Sequence, residues 1–395
     1  MKCYKKIILL SYICIASISA TIITPALTQI QQSFNIDHHA IGWVVSIFLF
    51  GYVIGQLIYG PIAKRFGSLQ SLRVGLIVNL IGIIICLVGS FTLSYHLLLV
   101  GRFISALGAA SGLSCTFMLI HAYLDDDQTK MMLSFCIVSF TVGLGLAILI
   151  GGVVTQYINW QMLFIILLIH GAITYLSTFL FEKTKILQQA INIKAIVNGY
   201  VNALKNRSLV IFSLMLGSVS MFSYGYAYSA PIFAMTELHL SPSIYGYWNI
   251  LSIFGMFTGG VLSSVLIKQL GARKLLNLSM LLVTMCLSAL LILGLANSHN
   301  TLWFFILIML SYTAFGLIFP CASYFATTTS EDKANASSMM SFLNMLSATL
   351  GVILMGYLSI NPILAMISVL GIFFIIIALA CIKELKLLRS LTHQN

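Results

Sequence analysis

Apolar runs of about twenty residues recur along the whole chain, and this pattern limits the fold more than any other feature of the sequence. A helix of that length crosses a hydrocarbon layer of about 30 Å. The strands of a membrane barrel would instead be short segments of alternating polarity. Charged residues make up only 7% of the chain, which is too few to cover a water-soluble surface. We therefore expect an all-α integral membrane protein.

The apolar pattern predicts twelve transmembrane helices. Their approximate ranges are 7–30, 41–63, 73–92, 97–123, 131–156, 161–181, 208–235, 243–267, 275–296, 301–328, 334–358 and 362–382. The first range starts like a secretory signal, but its apolar run continues to about residue 29, so we interpret it as a span. The long loop 182–207 separates an N-terminal six-helix half (1–181) from a C-terminal half (208–395). This loop is a tether, and its amphipathic stretch is also suited to the inner membrane surface.

The positive charges are concentrated on one side of the predicted topology. With the N-terminus inside, nineteen of the twenty Lys and Arg residues are cytoplasmic, which predicts that both termini are cytoplasmic. This bias accounts for the net charge of +11 without a nucleic-acid partner. The eight cysteines are scattered singly and do not suggest disulfides or a metal site.

An internal repeat relates the two halves. At an offset of 204 residues, Gly67 aligns with Gly271 and Lys64 aligns with Lys268. Two related six-helix halves around a central path are typical of secondary transporters.

Four motifs resemble those of the major facilitator superfamily. They are GPIAKRFG (60–67), GRFISALGAASG (101–112), VGLGLAILIGG (142–152) and INWQMLF (158–164). A narrower resemblance, to the Bcr/CflA-type drug-resistance branch, comes from ITPALTQIQQSFNI (23–36), GQLIYGP (55–61) and YSAPIFAMTELHLSPSIYG (228–246). The resemblance implies the twelve-helix fold and a transporter in the bacterial inner membrane. Such a protein exports small molecules, typically in exchange for protons, and we expect a monomer without cofactor or metal.

Several positions depart from the family pattern. Thr21 stands where the branch usually has an aspartate, and Lys64 replaces the aspartate of the loop motif. Ala147 and Ile148 stand at the usual Gly-Pro of the antiporter motif. No Asp or Glu lies in a predicted span, and His170 is the one mid-span histidine. Proton coupling is therefore left open.

The resemblance places a substrate pocket between helices 1, 4, 7 and 10. We predict that its side chains are Thr21, Gln56, Arg102, Tyr224, Tyr228, Asn249, Tyr312 and Phe315. Aromatic rings and a few amides suit amphipathic organic compounds, and the alternative for each residue is ordinary helix packing. Arg102 is the only Lys or Arg inside a predicted span, since Arg73 stands at the first position of its range. It would bind an anionic group or influence a proton carrier, or else bond to backbone carbonyls of a neighbouring helix.

A reversed charge pattern is expected at the cytoplasmic ends of the helices. We predict a gate in which Lys64 pairs with Glu331 and Asp332, and Lys268 pairs with the cluster Asp125, Asp126 and Asp127; solvated lysines are the alternative. We also assign close helix packing to Gly60, Gly67, Gly143, Gly151 and Gly152.

Three functions fit these observations. The first is export of small amphipathic compounds. The second is transport, in either direction, of a specific anionic metabolite such as a carboxylate siderophore, and the third is a non-transporting membrane sensor. The sequence has no Walker-type loop, so an ATP-driven pump is not expected, and no enzymatic motif is present.

Overall fold

The computed structural model describes residues 3–182, 193–296, 299–328, 333–358 and 360–392. In these ranges the chain forms helices joined by short connections. The helices are α1 (Cys3–Thr21), α2 (Leu27–Phe34), α3 (His38–Phe66), α4 (Ser68–Phe91), α5 (Tyr95–Tyr123), α6 (Asp126–Tyr157), α7 (Met162–Ser177), α8 (Ile193–Lys205), α9 (Arg207–Thr236), α10 (Pro242–Trp248), α11 (Ile250–Leu295), α12 (Thr301–Thr328), α13 (Lys333–Tyr357) and α14 (Pro362–Thr392).

The helices account for the twelve predicted spans. Ten helical ranges in the described part of the chain are long and apolar enough to cross a membrane. One of them, Pro242–Leu295, has 54 residues and contains a break at Gly271, so it provides two crossings. The apolar part of α6, Val142–Tyr157, provides the remaining one. The all-α fold with twelve spans is confirmed.

The connector after the second span is shorter than the sequence suggested. We expected GPIAKRFG to be a cytoplasmic turn, but α3 continues through Pro61 and ends only at Phe66. Gly67 alone makes the turn, with φ 89° and ψ 146°, and α4 starts at the next residue. Gly271, its partner in the predicted repeat, has φ 75° and ψ 153°. Only glycine adopts this backbone region readily, so the two halves share one turn geometry.

The first span is interrupted before its end. Helix α1 stops at Thr21, a 3-10 turn covers Thr24–Ala26, and α2 follows. Pro25 lies in that turn and has no N–H to donate to a preceding carbonyl. The break leaves carbonyl groups at the end of α1 available to other partners.

The chain divides into two compact units. In the described part of the chain, unit 1 comprises the residues up to 182 together with Ala234–Ile250, and unit 2 comprises Ile193–Phe233 and the residues from Leu251 onward. Residues 234–250 join unit 1 because α10 packs on α6. A Cβ built on Gly152 of α6 would lie only 2.3 Å from the Pro242 carbonyl oxygen.

Small residues bring α4 and α5 of unit 1 into contact. A Cβ on Gly108 would lie 2.2 Å from the backbone nitrogen of Asn79, and one on Gly82 would lie 2.1 Å from that of Ser105. The Asn79 amide donates to the Ser105 carbonyl at 2.7 Å. Close backbone approach and a buried hydrogen bond are typical of helix packing in membranes.

In unit 2, the helix of the long loop packs against α13. Ala203 of α8 and Leu209 of α9 form a buried cluster with Ala336 and Met339 of α13, and Tyr200 packs against it. Burial raises the pKa of Tyr200, and a hydrogen bond with Ser338 opposes that shift. The loop is therefore a docked helix in its described part, and not merely a tether.

Candidate functional site

Arg102 is buried inside unit 1, where it joins three helices. It lies on α5 and is 1% exposed. Its Nη1 donates to the Ser19 carbonyl of α1 at 2.7 Å, and its Nε donates to the Val44 carbonyl of α3 at 3.2 Å. The guanidinium lies over the ring of Phe48, 4.2 Å from its centroid. Of the roles considered for Arg102 from the sequence, bonding to backbone carbonyls of neighbouring helices is the one that these contacts match.

The Ser19 contact is explained by the interrupted first span. Ser19 lies in the last turn of α1, where carbonyls lack helical partners and the helix end carries a partial negative charge. The Arg102 cation donates to one of these carbonyls and is attracted by the partial negative charge. The Nη2 atom of Arg102 is buried and has no hydrogen-bond partner, so its two N–H groups are left available.

Thr21 and the glycines of α6 form a second contact within unit 1. The Thr21 hydroxyl donates to the Ser17 carbonyl at 2.8 Å and lies 3.4 Å from the Leu144 carbonyl oxygen of α6. A Cβ on Gly151 would lie 2.1 Å from the Ile22 oxygen, and one on Gly143 would lie 2.9 Å from Cys14 Cβ. Together with Gly152, these glycines are positions of close helix approach.

The other two glycines predicted for packing have different surroundings. A Cβ on Gly60 would meet no atom within 4 Å, so it is not a close-packing position. Gly67 is required by its positive φ and not by a neighbouring helix. Gly60 and Gly67 belong to the same eight-residue motif. The motif alone therefore could not show that Gly67 is required by its backbone conformation and that Gly60 has no close neighbour.

Aromatic side chains form the main cluster of unit 2. The Phe222 ring of α9 lies 4.7 Å from Phe315 and 4.8 Å from Tyr312, both on α12, measured between centroids. Tyr226 meets Tyr312 edge-on at 5.6 Å. Phe374 of α14 contacts Phe315 at 5.9 Å. The structure thus brings together two of the predicted pocket residues, Tyr312 and Phe315.

Two members of this cluster were missed by the sequence reasoning. We predicted that Tyr224 and Tyr228 would share the functional face of α9, but Phe222 and Tyr226 make these ring contacts. Aromatic residues stand at alternate positions 222, 224, 226 and 228, which gives two stripes with the same i, i+4 spacing. Periodicity alone could not choose between them. Tyr224 and Tyr228 are buried in unit 2.

Hydroxyl groups extend from the aromatic cluster towards α11. The Ser252 hydroxyl donates to the Tyr226 hydroxyl at 3.2 Å. Thr258 of α11 and Thr313 of α12 lie 3.0 Å apart through their Oγ1 atoms. Unit 2 therefore combines an aromatic cluster with two pairs of hydroxyl groups between helices.

The remaining predicted pocket residues lie in unit 1. Gln56 is half-buried on α3, and Asn249 is 1% exposed at the end of α10. His170, the mid-span histidine, is partly buried on α7.

A buried acid at the end of α14 corrects one prediction. We expected no acidic residue in any span, but the apolar range of α14 extends to Leu387 and includes Glu384, which is 3% exposed. Ser208 of α9 donates to Oε1 of Glu384 at 2.5 Å, and Arg207 Nε lies 3.2 Å from Oε2. The buried series Cys381, Glu384 and Leu385 has helical spacing, so the signal was present in the sequence.

The predicted cytoplasmic gate lies largely outside the described residues. This holds for Glu331 and Asp332 and for the side chains of Lys64, Asp126 and Asp127. The Asp125 carboxylate caps α6, accepting from the Gln128 N–H at 2.8 Å. Lys268 is exposed on α11 of unit 2. The charge pairing stays a prediction.

The arrangement defines a class of protein before any comparison. Long apolar helices in two compact units, with glycine-mediated crossings and the same turn in each repeat, are the architecture of a membrane transporter. Comparison with known proteins then identifies the family. The sequence model of the Major Facilitator Superfamily matches residues 9–352 and again residues 212–390. The chain belongs to this superfamily.

Solved structures show the same fold at low sequence identity. The xylose transporter XylE from E. coli, in a partially occluded inward-open form, matches with a TM-score of 0.76 at 14% identity and covers 96% of each chain. A bacterial homologue of the human lysosomal transporter Spinster matches with a TM-score of 0.70 at 16% identity and 95% coverage of each. At these identities the likeness concerns the fold alone.

Curated relatives match over part of their length. An uncharacterized transporter of Rickettsia bellii (strain RML369-C) is 26% identical over 269 residues, which are 66% of this chain and 64% of the relative. A quinolone resistance protein, NorB, of Staphylococcus aureus (strain Newman) is 28% identical over 158 residues, 39% of this chain and 32% of that protein. The matched region thus spans less than two thirds of these relatives.

Proposed function

We propose that the chain is a secondary active exporter of small amphipathic organic compounds. The observation that carries this proposal is the aromatic cluster of unit 2, formed by Phe222, Tyr226, Tyr312 and Phe315 and joined to the Ser252 hydroxyl of α11. Stacked rings bind planar apolar groups, while a few hydroxyls fix orientation. In this proposal the cluster selects for chemical character more than for one molecule.

Two further points support export of this substrate class. NorB, whose printed name concerns quinolone resistance, resembles 39% of this chain. Quinolones combine a planar aromatic system with polar substituents, which is the chemistry that rings and hydroxyls accommodate. An ion gradient supplies the energy in this proposal, as is usual for transporters built from two repeats.

Accumulation of ethidium tests the proposal in cells. The chain is expressed in a bacterial strain lacking its major efflux pumps, and cells with the chain should retain less dye than cells with an empty vector. Aromatic contacts contribute about 0.5–1.5 kcal/mol each, so Y312A should weaken dye binding about two- to twelvefold. F254A removes a ring of α11 that is 57% exposed and is the matched control. Equal dye retention with and without the chain would contradict the proposal.

Arg102 favours a second candidate, transport of an anionic metabolite. Its buried Nη2 has no hydrogen-bond partner, and an unpaired cationic donor away from water is suited to a carboxylate. Comparing the metabolites exported by a deletion strain and its parent tests this. Loss of one organic acid from the medium, restored by the parent chain but not by R102Q, would support the second candidate. An unchanged acid profile would reject export of such a metabolite.

A further inference from the structure

Helix α8 has an apolar surface that no described residue of its own unit covers. Val197, Val201 and Leu204 follow one another at i, i+4 and i+7 and are 50%, 46% and 45% exposed. This spacing places them on a single stripe of the helix. The neighbouring stripe, with Tyr200 and Ala203, packs against α13. Helix α8 is therefore fixed to unit 2 by one face and presents a second apolar face outward.

Positive charges border the exposed stripe on its other side. At 100° per residue, Lys194 and Lys205 lie next to the stripe formed by Val197, Val201 and Leu204, and both lysines are exposed. The helix sequence IKAIVNGYVNALK contains no acidic residue. Around the helix, the order is thus a protein-facing stripe, an exposed apolar stripe and a basic edge.

The position of α8 in the chain places it where the polypeptide enters the membrane. It ends at Lys205, and one residue later α9 starts as a helix long and apolar enough to span the bilayer. Arg207, at the start of α9, is also exposed. A helix at this boundary with an apolar stripe and a basic edge has the chemistry of an interfacial helix.

We propose that the surface formed by Val197, Val201, Leu204, Lys194 and Lys205 binds anionic phospholipids at the membrane surface. The apolar stripe lies among the upper acyl chains, and the two lysines contact the negative headgroups. Lysines near an anionic surface each strengthen binding by about 1 kcal/mol, or about fivefold. Helix α8 packs against the start of α13. The lipid composition therefore acts directly on this contact between α8 and α13 within unit 2.

Quenching by brominated lipids tests the proposal on the full chain without a transport assay. Purified protein carrying V201C, in a background with the exposed Cys3 and the part-buried Cys14 and Cys286 replaced by serine, is labelled with bimane. It is reconstituted in a mixture of phosphatidylcholine and phosphatidylglycerol. In one sample only the phosphatidylglycerol is brominated, and in the other only the phosphatidylcholine is brominated. We expect stronger quenching by the brominated anionic lipid at equal bromine content.

Charge variants separate headgroup recognition from simple proximity to lipid. K194Q/K205Q should equalise quenching by the two brominated lipids, while K383Q/K386Q, which neutralises two exposed lysines of α14, should leave the preference intact. Variants are compared at matched thermal stability, which shows that they are folded. The proposal is overturned by a label that neither lipid quenches, by equal quenching in the parent, or by an undiminished preference in K194Q/K205Q. The readout stands even if the exported compounds are of another class.

Discussion

At the scale of single residues, Arg102 and Glu384 are both buried in the described helices and have different partners. Arg102 bonds to backbone carbonyls at the broken end of α1, whereas Glu384 accepts a hydrogen bond from Ser208 and pairs with Arg207. Burying a charge costs several kcal/mol unless it is hydrogen-bonded. Each group therefore holds its neighbouring helices together, whatever further role it has in transport.

Removing the Glu384 carboxylate should destabilise unit 2. A hydrogen bond to a charged group contributes about 1.5–3 kcal/mol, so E384A should lower the free energy of unfolding by about that amount. E384Q keeps an acceptor for Ser208 and should cost less. R207A should cost at most about 1 kcal/mol, because Arg207 is 60% exposed and solvent screens the pair.

Thermal unfolding of the purified protein in detergent micelles measures these differences. E182A, at an exposed position in unit 1, serves as the control for loss of a carboxylate. If R207A proved as costly as E384A, the ion pair would be the dominant interaction and our assignment to the Ser208 bond would be wrong.

At the scale of helices, glycines determine where backbones approach. In unit 2, a Cβ on Gly259 of α11 would lie 2.8 Å from the Thr313 carbonyl oxygen of α12. The next residue, Gly260, points to open space with no atom within 4 Å. Two adjacent glycines therefore differ in the role they have in packing.

Alanine at these two positions should give opposite results. G259A forces backbone atoms apart and should lower the free energy of unfolding by about 1–3 kcal/mol. G260A should be neutral or stabilising by up to about 1 kcal/mol, because alanine favours the helix. Their melting temperatures, measured side by side, provide the comparison. Similar values for the two variants would show that α11 and α12 are not in close contact at Gly259.

The single-residue turn at Gly271 allows a separate test of backbone strain. A Cβ there would meet nothing within 4 Å, so any cost arises from φ 75° alone. We expect G271A to destabilise the protein by about 1–3 kcal/mol. G371A, at a helical glycine that also lacks close neighbours, should leave the melting temperature unchanged or raise it slightly, as at Gly260. A G271A variant as stable as the parent would contradict the assigned turn.

At the scale of the whole molecule, the sequence predicted the architecture well and the side-chain contacts less well. Apolar runs were sufficient to predict twelve spans, because the membrane leaves few alternatives. The aligned glycines Gly67 and Gly271 also have similar backbone angles. The length of α3 was underestimated because Gly60 and Pro61 resemble a helix end, yet both lie within the helix.

The candidate site was harder to predict for a physical reason. Almost every face of a transmembrane helix is apolar, so periodicity does not distinguish the face towards another helix from the face towards lipid. Hence Phe222 and Tyr226 were missed beside Tyr224 and Tyr228. Glu384 was missed because the basic residues around it marked the end of the membrane span, while the helix itself continued to Thr392.

Transport by the purified protein in proteoliposomes tests the central claim most directly. The chain is reconstituted in vesicles, a pH gradient or a sodium gradient is imposed, and movement of ethidium is followed by fluorescence. We expect one of the two gradients to drive dye movement, its dissipation to stop that movement, and Y312A to slow it while F254A does not. Failure of either gradient to move ethidium or a quinolone through folded protein would contradict the account.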